Sequence, residues 1–195
     1  MPHHYYRDIV LELRQDVYEP REDSEMLAGV VDAEVKRRGK PTFLDLGCGS
    51  GLIAIVAAKA GARVKAVDIN EAAVELTKRN AELNGVNVDC FVSNLLDGMK
   101  MKFDIIAFNA PYLPESVVKG ENEKWAAGAN LQIIRQVIEQ ASARLNPEGV
   151  LLLVVSSLTG MGMVKKILES NGFRWETAAE KKVPWEMLYV LKAVL

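Results

Sequence analysis

Histidine is nearly missing from this 195-residue chain: there are two, side by side at His3 and His4, and only two cysteines, Cys48 and Cys90. That count excludes a disulfide framework, and the spacing suits no metal site. A nucleophile–histidine dyad is equally hard to assemble, and the paired histidines read as a solvated tail. No apolar run is long enough to span a bilayer; the longest, 149–155, suits a buried strand. Residues 1–7 lack the apolar core of a signal peptide, so the expected location is cytoplasmic. Positive charge is not in excess either, with 24 Lys and Arg against 26 Asp and Glu and a net charge of −2. A nucleic-acid-binding surface usually needs a basic face. A protein or small-molecule substrate is favoured over nucleic acid, and a membrane partner is not expected.

What remains is a globular composition, 49% hydrophobic and 26% charged, arranged as alternating strand and helix patterns from residue 41 onward. Strands are expected at 42–46, 64–68, 88–92, 103–109, 149–155, 173–180 and 185–194. Helices are expected at 50–60, 70–84, 129–145 and 161–170. The short link at Pro184 can join only antiparallel neighbours. The expected fold is therefore α/β, a doubly wound, mostly parallel seven-stranded sheet with an antiparallel C-terminal strand. Asn146-Pro147-Glu148-Gly149 has the chemistry of a turn. Upstream, a strand over 8–13 and a helix over 23–38 suggest an N-terminal extension, 1–40, packing on a domain of 41–195. No repeat interrupts this pattern, and the whole reads as one domain.

Two segments carry chemistry. The first is Asp45-Leu46-Gly47-Cys48-Gly49-Ser50-Gly51, between a strand and a helix. Gly47, Gly49 and Gly51 fall where a ligand must touch bare main chain. A dinucleotide fingerprint would need glycine three places after Gly49, and Leu52 stands there instead. Asp45 would repel a pyrophosphate and attract a ligand carrying ammonium and sulfonium charge. Asp68, closing the next strand, can accept two hydrogen bonds from a ribose diol, with Asn70 left to cap the following helix. Ile69 is grouped with Asp68 at this site. Asn94 is placed to reach an adenine edge and Leu95 to cover its face. Cys48 is read as a small residue that the loop requires.

The second segment is Asn109-Ala110-Pro111-Tyr112, after the fourth strand. The Asn109 side-chain oxygen and the Ala110 carbonyl can each accept one N–H of a planar NH2 group, with Tyr112 stacked on its plane. Pro111 keeps Ala110 extended. An ordinary turn is the plainer alternative, since Asn and Pro both favour turns. Taken together, the two segments point to methyl transfer from a sulfonium donor to an amide or amino nitrogen.

On these residues, with Asp16-Val17-Tyr18-Glu19-Pro20-Arg21-Glu22-Asp23-Ser24 and Trp125-Ala126-Ala127-Gly128, the chain resembles the class I methyltransferases that use S-adenosyl-L-methionine. Within them it is similar to the HemK-like release-factor glutamine methyltransferases, in their short archaeal and eukaryotic branch. The likeness runs from about Val17 to the C-terminus. It implies cofactor contacts from Tyr18, Ser24, Asp45, Gly47, Asp68, Asn94 and Leu95. Asn94 stands where relatives commonly have Asp, and Ala110 where they have Pro. The implied reaction is N5-methylation of a glutamine in a peptide chain release factor. A small zinc-binding activator subunit is implied at the edge strand 88–92. Methylation of an adenine amino group in RNA or DNA, or of a protein lysine, is the alternative, and a non-catalytic scaffold subunit is a third. The acids Glu22, Asp23, Glu25, Glu121 and Glu123 are expected either to attract a basic protein substrate or simply to be solvated near a helix start.

Overall fold

Six consecutive apolar residues, Val150 to Val155, are all buried, which requires a strand covered on both faces. The computed structural model describes residues 2–110 and 123–195, with the backbone alone for 123–130. The chain opens with an antiparallel hairpin, β1 (His3–Tyr6) and β2 (Ile9–Glu12), followed by helix α1 (Glu22–Arg38). Then come β3 (Thr42–Leu46), α2 (Leu52–Lys59), β4 (Arg63–Asp68), α3 (Glu71–Leu83), β5 (Asp89–Val92) and β6 (Phe103–Asn109). Helix α4 (Glu123–Arg144), β7 (Leu145–Ser156), α5 (Met161–Ser170), β8 (Arg174–Val183) and β9 (Glu186–Val194) complete it.

The seven main strands lie in the order β5-β4-β3-β6-β7-β9-β8. All the pairings from β5 to β7 are parallel, and β9 runs antiparallel between β7 and β8. This is the expected doubly wound sheet with one reversed strand. The chain begins the sheet at β3, builds outward to β5, then returns to lay β6 on the other side of β3. Such a switch point leaves a crevice at the carboxyl ends of β3 and β6.

Side chains alternate across the sheet, so each strand feeds two cores. On one face Phe43, Ile105, Leu152 and Val154 pack with Leu27, Val31 and Val35 of α1 and with apolar residues of α2 and α3. On the other, Leu44, Ile106, Leu151 and Leu153 pack with Ile134, Val137 and Ile138 of α4 and with Val164 and Leu168 of α5. Among the described residues, no helix is long and apolar enough to cross a membrane.

Three local expectations change. His3 and His4 are not a free tail but form half of the hairpin, with His4 Nε2 3.5 Å from Glu25. Residues 146–149 do not end the strand. Phe103 pairs with Leu145 and Ile105 with Val150, so the four intervening residues bulge out of β7, with Glu148 at φ 60°. Asp104 holds the bulge by accepting from Asn146 Nδ2 at 2.8 Å and from the Thr42 N–H at 2.7 Å. Finally, α4 starts at Glu123 rather than at 129.

The hairpin is tied to α3 by two amide side chains. Asn84 bonds the N–H and the carbonyl of Val10 at 3.1 and 2.7 Å, and Asn80 those of Glu12 at 2.8 and 3.1 Å. Asn80 also donates to the Ser50 carbonyl at 2.8 Å.

Helix α1 is fastened to the sheet by charge. The buried Glu34 accepts from Arg37 and Arg38 and lies 3.3 Å from Lys192 of β9. Burial opposes its ionisation, but the two arginines and Lys192 outweigh this and hold its carboxyl down at about 2. A depressed carboxyl stabilises the fold above its unfolded pKa and loses that contribution as pH falls towards the folded value. Urea denaturation of wild type against Glu34→Ala at pH 7 should show a loss of about 3 kcal/mol. The difference should shrink between pH 4.5 and pH 2.

Candidate active site

At the switch point a cavity of about 500 Å³ opens, within the size range of cofactor sites. Every wall supplies a residue singled out from the sequence. Tyr18 and Ser24 enter from the segment that leads into α1 and from its first turn. Asp45, Gly47 and Gly49 come from the end of β3 and the loop after it, Asp68 and Ile69 from the end of β4. Asn94 and Leu95 follow β5, while Asn109 and Ala110 end β6.

Gly47 and Gly49 adopt φ 67° and 52°, where L side chains are strained. Gly51 departs from its expected role. It does not line the cavity, and a Cβ there would sit 3.0–3.2 Å from Thr77. Its φ of 88° and this close approach let the loop pack on α3. The small Cys48 fits the same packing. Its thiol accepts from Thr77 Oγ1 at 3.3 Å, and burial pushes its pKa well above the usual thiol range. Such a thiol is no nucleophile.

The two acidic residues behind the loop behave differently. Asp68 accepts from the Gly49 N–H at 3.0 Å and the Asn70 N–H at 2.9 Å, one on each oxygen. Those bonds orient the carboxylate, and its remaining lone pairs are free to accept a diol. Asn70 caps α3, accepting from the Ala72 N–H at 3.0 Å. Asp45 is 2% exposed and accepts from the Ala54 N–H at 3.0 Å. Burial, reinforced by the charge of Asp68, pushes its pKa up to about 8. In the free protein Asp45 is thus largely neutral at pH 7, and a cation beside it would favour its ionised form.

Beyond β5, Asn94 Nδ2 donates to Asp97 Oδ2 at 3.1 Å, which leaves its oxygen side for a ligand. Leu95 sits at φ 50°, an uncommon strain for leucine. Ser93, not singled out from the sequence, lines the cavity and donates to the Leu95 carbonyl at 3.1 Å, steadying that turn.

Asn109 Nδ2 donates to Asp23 Oδ2 at 3.0 Å and to Ser24 Oγ at 3.1 Å. Its Oδ1 is buried with no partner among the described residues. Asp23 is a second site residue that sequence reasoning missed. Grouped with the solvated acids, it is in fact 1% exposed and also accepts from the Tyr18 hydroxyl and the Ser24 N–H. The signal lay in its place beside Ser24 rather than in its charge. Ala110 is buried against the cavity. Pro111, Tyr112 and Glu121 lie outside the described residues, as do the side chains of Glu123 and Trp125. Among the described residues no group of three His, Cys, Asp or Glu could hold a metal.

Residues 22–182 match the family described as Methyltransferase small domain. The chain belongs to this methyltransferase family. It is 40% identical over 196 aligned residues to a Methanocaldococcus jannaschii protein provisionally named a protein N5-glutamine methyltransferase, with 95% of each chain covered. It is 33% identical to a Lactococcus lactis release factor glutamine methyltransferase, over 81% of this chain and 63% of the relative. Among solved structures, that of the Encephalitozoon cuniculi Mtq2–Trm112 complex, described as methylating the termination factor eRF1, superposes with a TM-score of 0.70. It is 23% identical and matches 92% of this chain and 99% of that one. The likeness is to the HemK-like members of the methyltransferase family.

The cofactor of this methyltransferase class is S-adenosylmethionine, and the cavity suits it. Gly47 and Gly49 sit in conformations that leave the main chain free of side chains, Asp68 has acceptor capacity for a ribose, and Asp45 is a latent anion for the sulfonium and ammonium groups. Because Asp45 is neutral below about pH 8 and a cation favours its ionised form, binding must expel a proton and tighten as pH rises to 8. Calorimetry near pH 7 in two buffers of different ionisation enthalpy should detect about one proton released per cofactor bound. Asp45→Asn should abolish that release.

Proposed function

We propose that this chain is a protein-glutamine N5-methyltransferase that uses S-adenosylmethionine and acts on a peptide chain release factor in the cytoplasm. One observation carries the reading: the buried Oδ1 of Asn109 at the cavity wall, which has no partner among the described residues. A buried acceptor without a donor costs about 1–3 kcal/mol, and an N–H of a carboxamide would satisfy it. The Ala110 carbonyl takes the second N–H; the stacking role expected of Tyr112 falls outside the described residues. Ala110 can replace the usual proline because a main-chain acceptor does not depend on its side chain.

The bound cofactor supplies a methyl carbon already activated by a positively charged sulfur. An amide nitrogen is a weak nucleophile, so the protein's contribution is alignment, which can supply roughly 7–11 kcal/mol of a barrier. Two acceptors on the two N–H bonds fix the nitrogen and draw electron density towards it. Tyr18, Ser24, Asp45, Gly47, Gly49, Asp68, Ile69, Asn94 and Leu95 hold the donor.

Strand β5 supports the further reading that a small zinc-binding activator subunit docks there. It is a sheet edge, paired among the described residues only with β4, and Val92 on it is half exposed. An unpaired, weakly charged edge invites a partner.

The test uses labelled S-adenosylmethionine with a release factor and bulk RNA in parallel, followed by mass-spectrometric location of the methyl. The expected label is on a glutamine; label on adenine or lysine would overturn the assignment. Asn109→Ala should lower turnover roughly 10²-fold while cofactor affinity changes little.

A further inference from the structure

We infer that Asp23 is a specificity-determining positioning residue: by binding the NH2 group of Asn109 it forces the acceptor oxygen into the cavity, so that the site takes a carboxamide and rejects a carboxylate. The inference rests on the glutamine reading above and adds to it the means by which amide is told from acid.

An asparagine side chain can turn over, exchanging O and NH2 with little change of shape. Nothing in Asn109 itself decides which end faces the substrate. A carboxylate accepts and does not donate, so the 3.0 Å bond to Asp23 Oδ2 admits only Nδ2. Ser24 Oγ donates its one proton to Asp23 Oδ1 at 3.3 Å and accepts from Nδ2 at 3.1 Å, so it follows the choice that Asp23 makes. Asp23 is itself locked, because Oδ1 accepts from the Ser24 N–H at 2.7 Å and from the Tyr18 hydroxyl at 3.3 Å. The consequence falls on Oδ1 of Asn109, left buried with no donor among the described residues and so open to an N–H of the substrate. A glutamine side chain brings donors to that oxygen. A glutamate brings a second acceptor, which is repelled.

Asp23→Asn is nearly isosteric and tests this directly. Its oxygen stays on the Ser24 N–H, so an NH2 group replaces Oδ2 and faces Asn109. Asn109 then turns its oxygen inward and its NH2 to the cavity. Two peptides of the release-factor acceptor region, one with the glutamine and one with glutamate in its place, serve as probes. Wild type should bind the glutamine peptide better, by about tenfold. The variant should lose roughly 10²-fold in turnover, keep its affinity for S-adenosylmethionine within about twofold, and reverse the preference towards glutamate. Ser24→Ala should keep the preference for glutamine. Lost turnover with an unchanged preference would mean a merely structural Asp23 and overturn the inference.

In ¹⁵N-labelled wild type, the Asn109 NH2 protons should exchange slowly with solvent, and Asp23→Asn should speed that exchange. Fast exchange in wild type overturns the inference whether or not the variant folds. Failure of wild type to methylate the glutamine peptide sinks the functional reading instead, and leaves the NMR result to decide the orientation.

Discussion

A hydrogen bond between residues 86 positions apart, from Asn109 at the tip of β6 to Asp23 at the start of α1, joins the two halves of the site. It forms only because α1 packs across the sheet through Leu27, Val31 and Val35, and because β6 carries Asn109 to the switch point. Polar groups so placed are costly unless paired. The network of Tyr18, Asp23, Ser24 and Asn109 pairs most of them and leaves Asn109 Oδ1 without a partner among the described residues. The proposed substrate amide would repair that deficit.

The same cavity gathers the carboxylates of Asp23, Asp45 and Asp68. Each is restrained differently: Asp23 by donors from Tyr18, Ser24 and Asn109, Asp68 by main-chain N–H groups, Asp45 by burial that keeps it neutral. A site with this much latent negative charge suits a cationic ligand and stays tolerable without one, because one of the three carries its proton.

Most of the fold could be read from the chain because a parallel sheet writes itself as short apolar runs bounded by turn residues. The strands at 42–46 and 103–109 agree residue for residue with β3 and β6. What escaped reading depended on tertiary contact. The β1 strand is a run of polar and aromatic residues that β2 organises, so no period marks it. The bulge in β7 is held by Asp104 of the neighbouring β6, itself anchored by Thr42 of β3, so its residues read as a turn before the strand. Gly51 answers to Thr77 on α3, a helix away, rather than to a ligand. Asp23 looked like one acid among several because burial is invisible in a charge cluster.

Asn80 of α3 and Asn84 at its C-terminal cap, which grip β2, have a consequence for how this protein meets others. Strand edges are adhesive, and a hairpin at the surface has two. Asn80 and Asn84 act as surrogate backbone, filling the N–H and carbonyl positions of Val10 and Glu12 that a neighbouring chain would otherwise claim. That edge is sealed from within. On the main sheet, β8 presents Glu176, Glu180, Lys181 and Lys182 along its length, a row of charge that discourages strand addition. Among the described residues of the main sheet, the short β5 margin carries neither device, so it offers a direction for pairing.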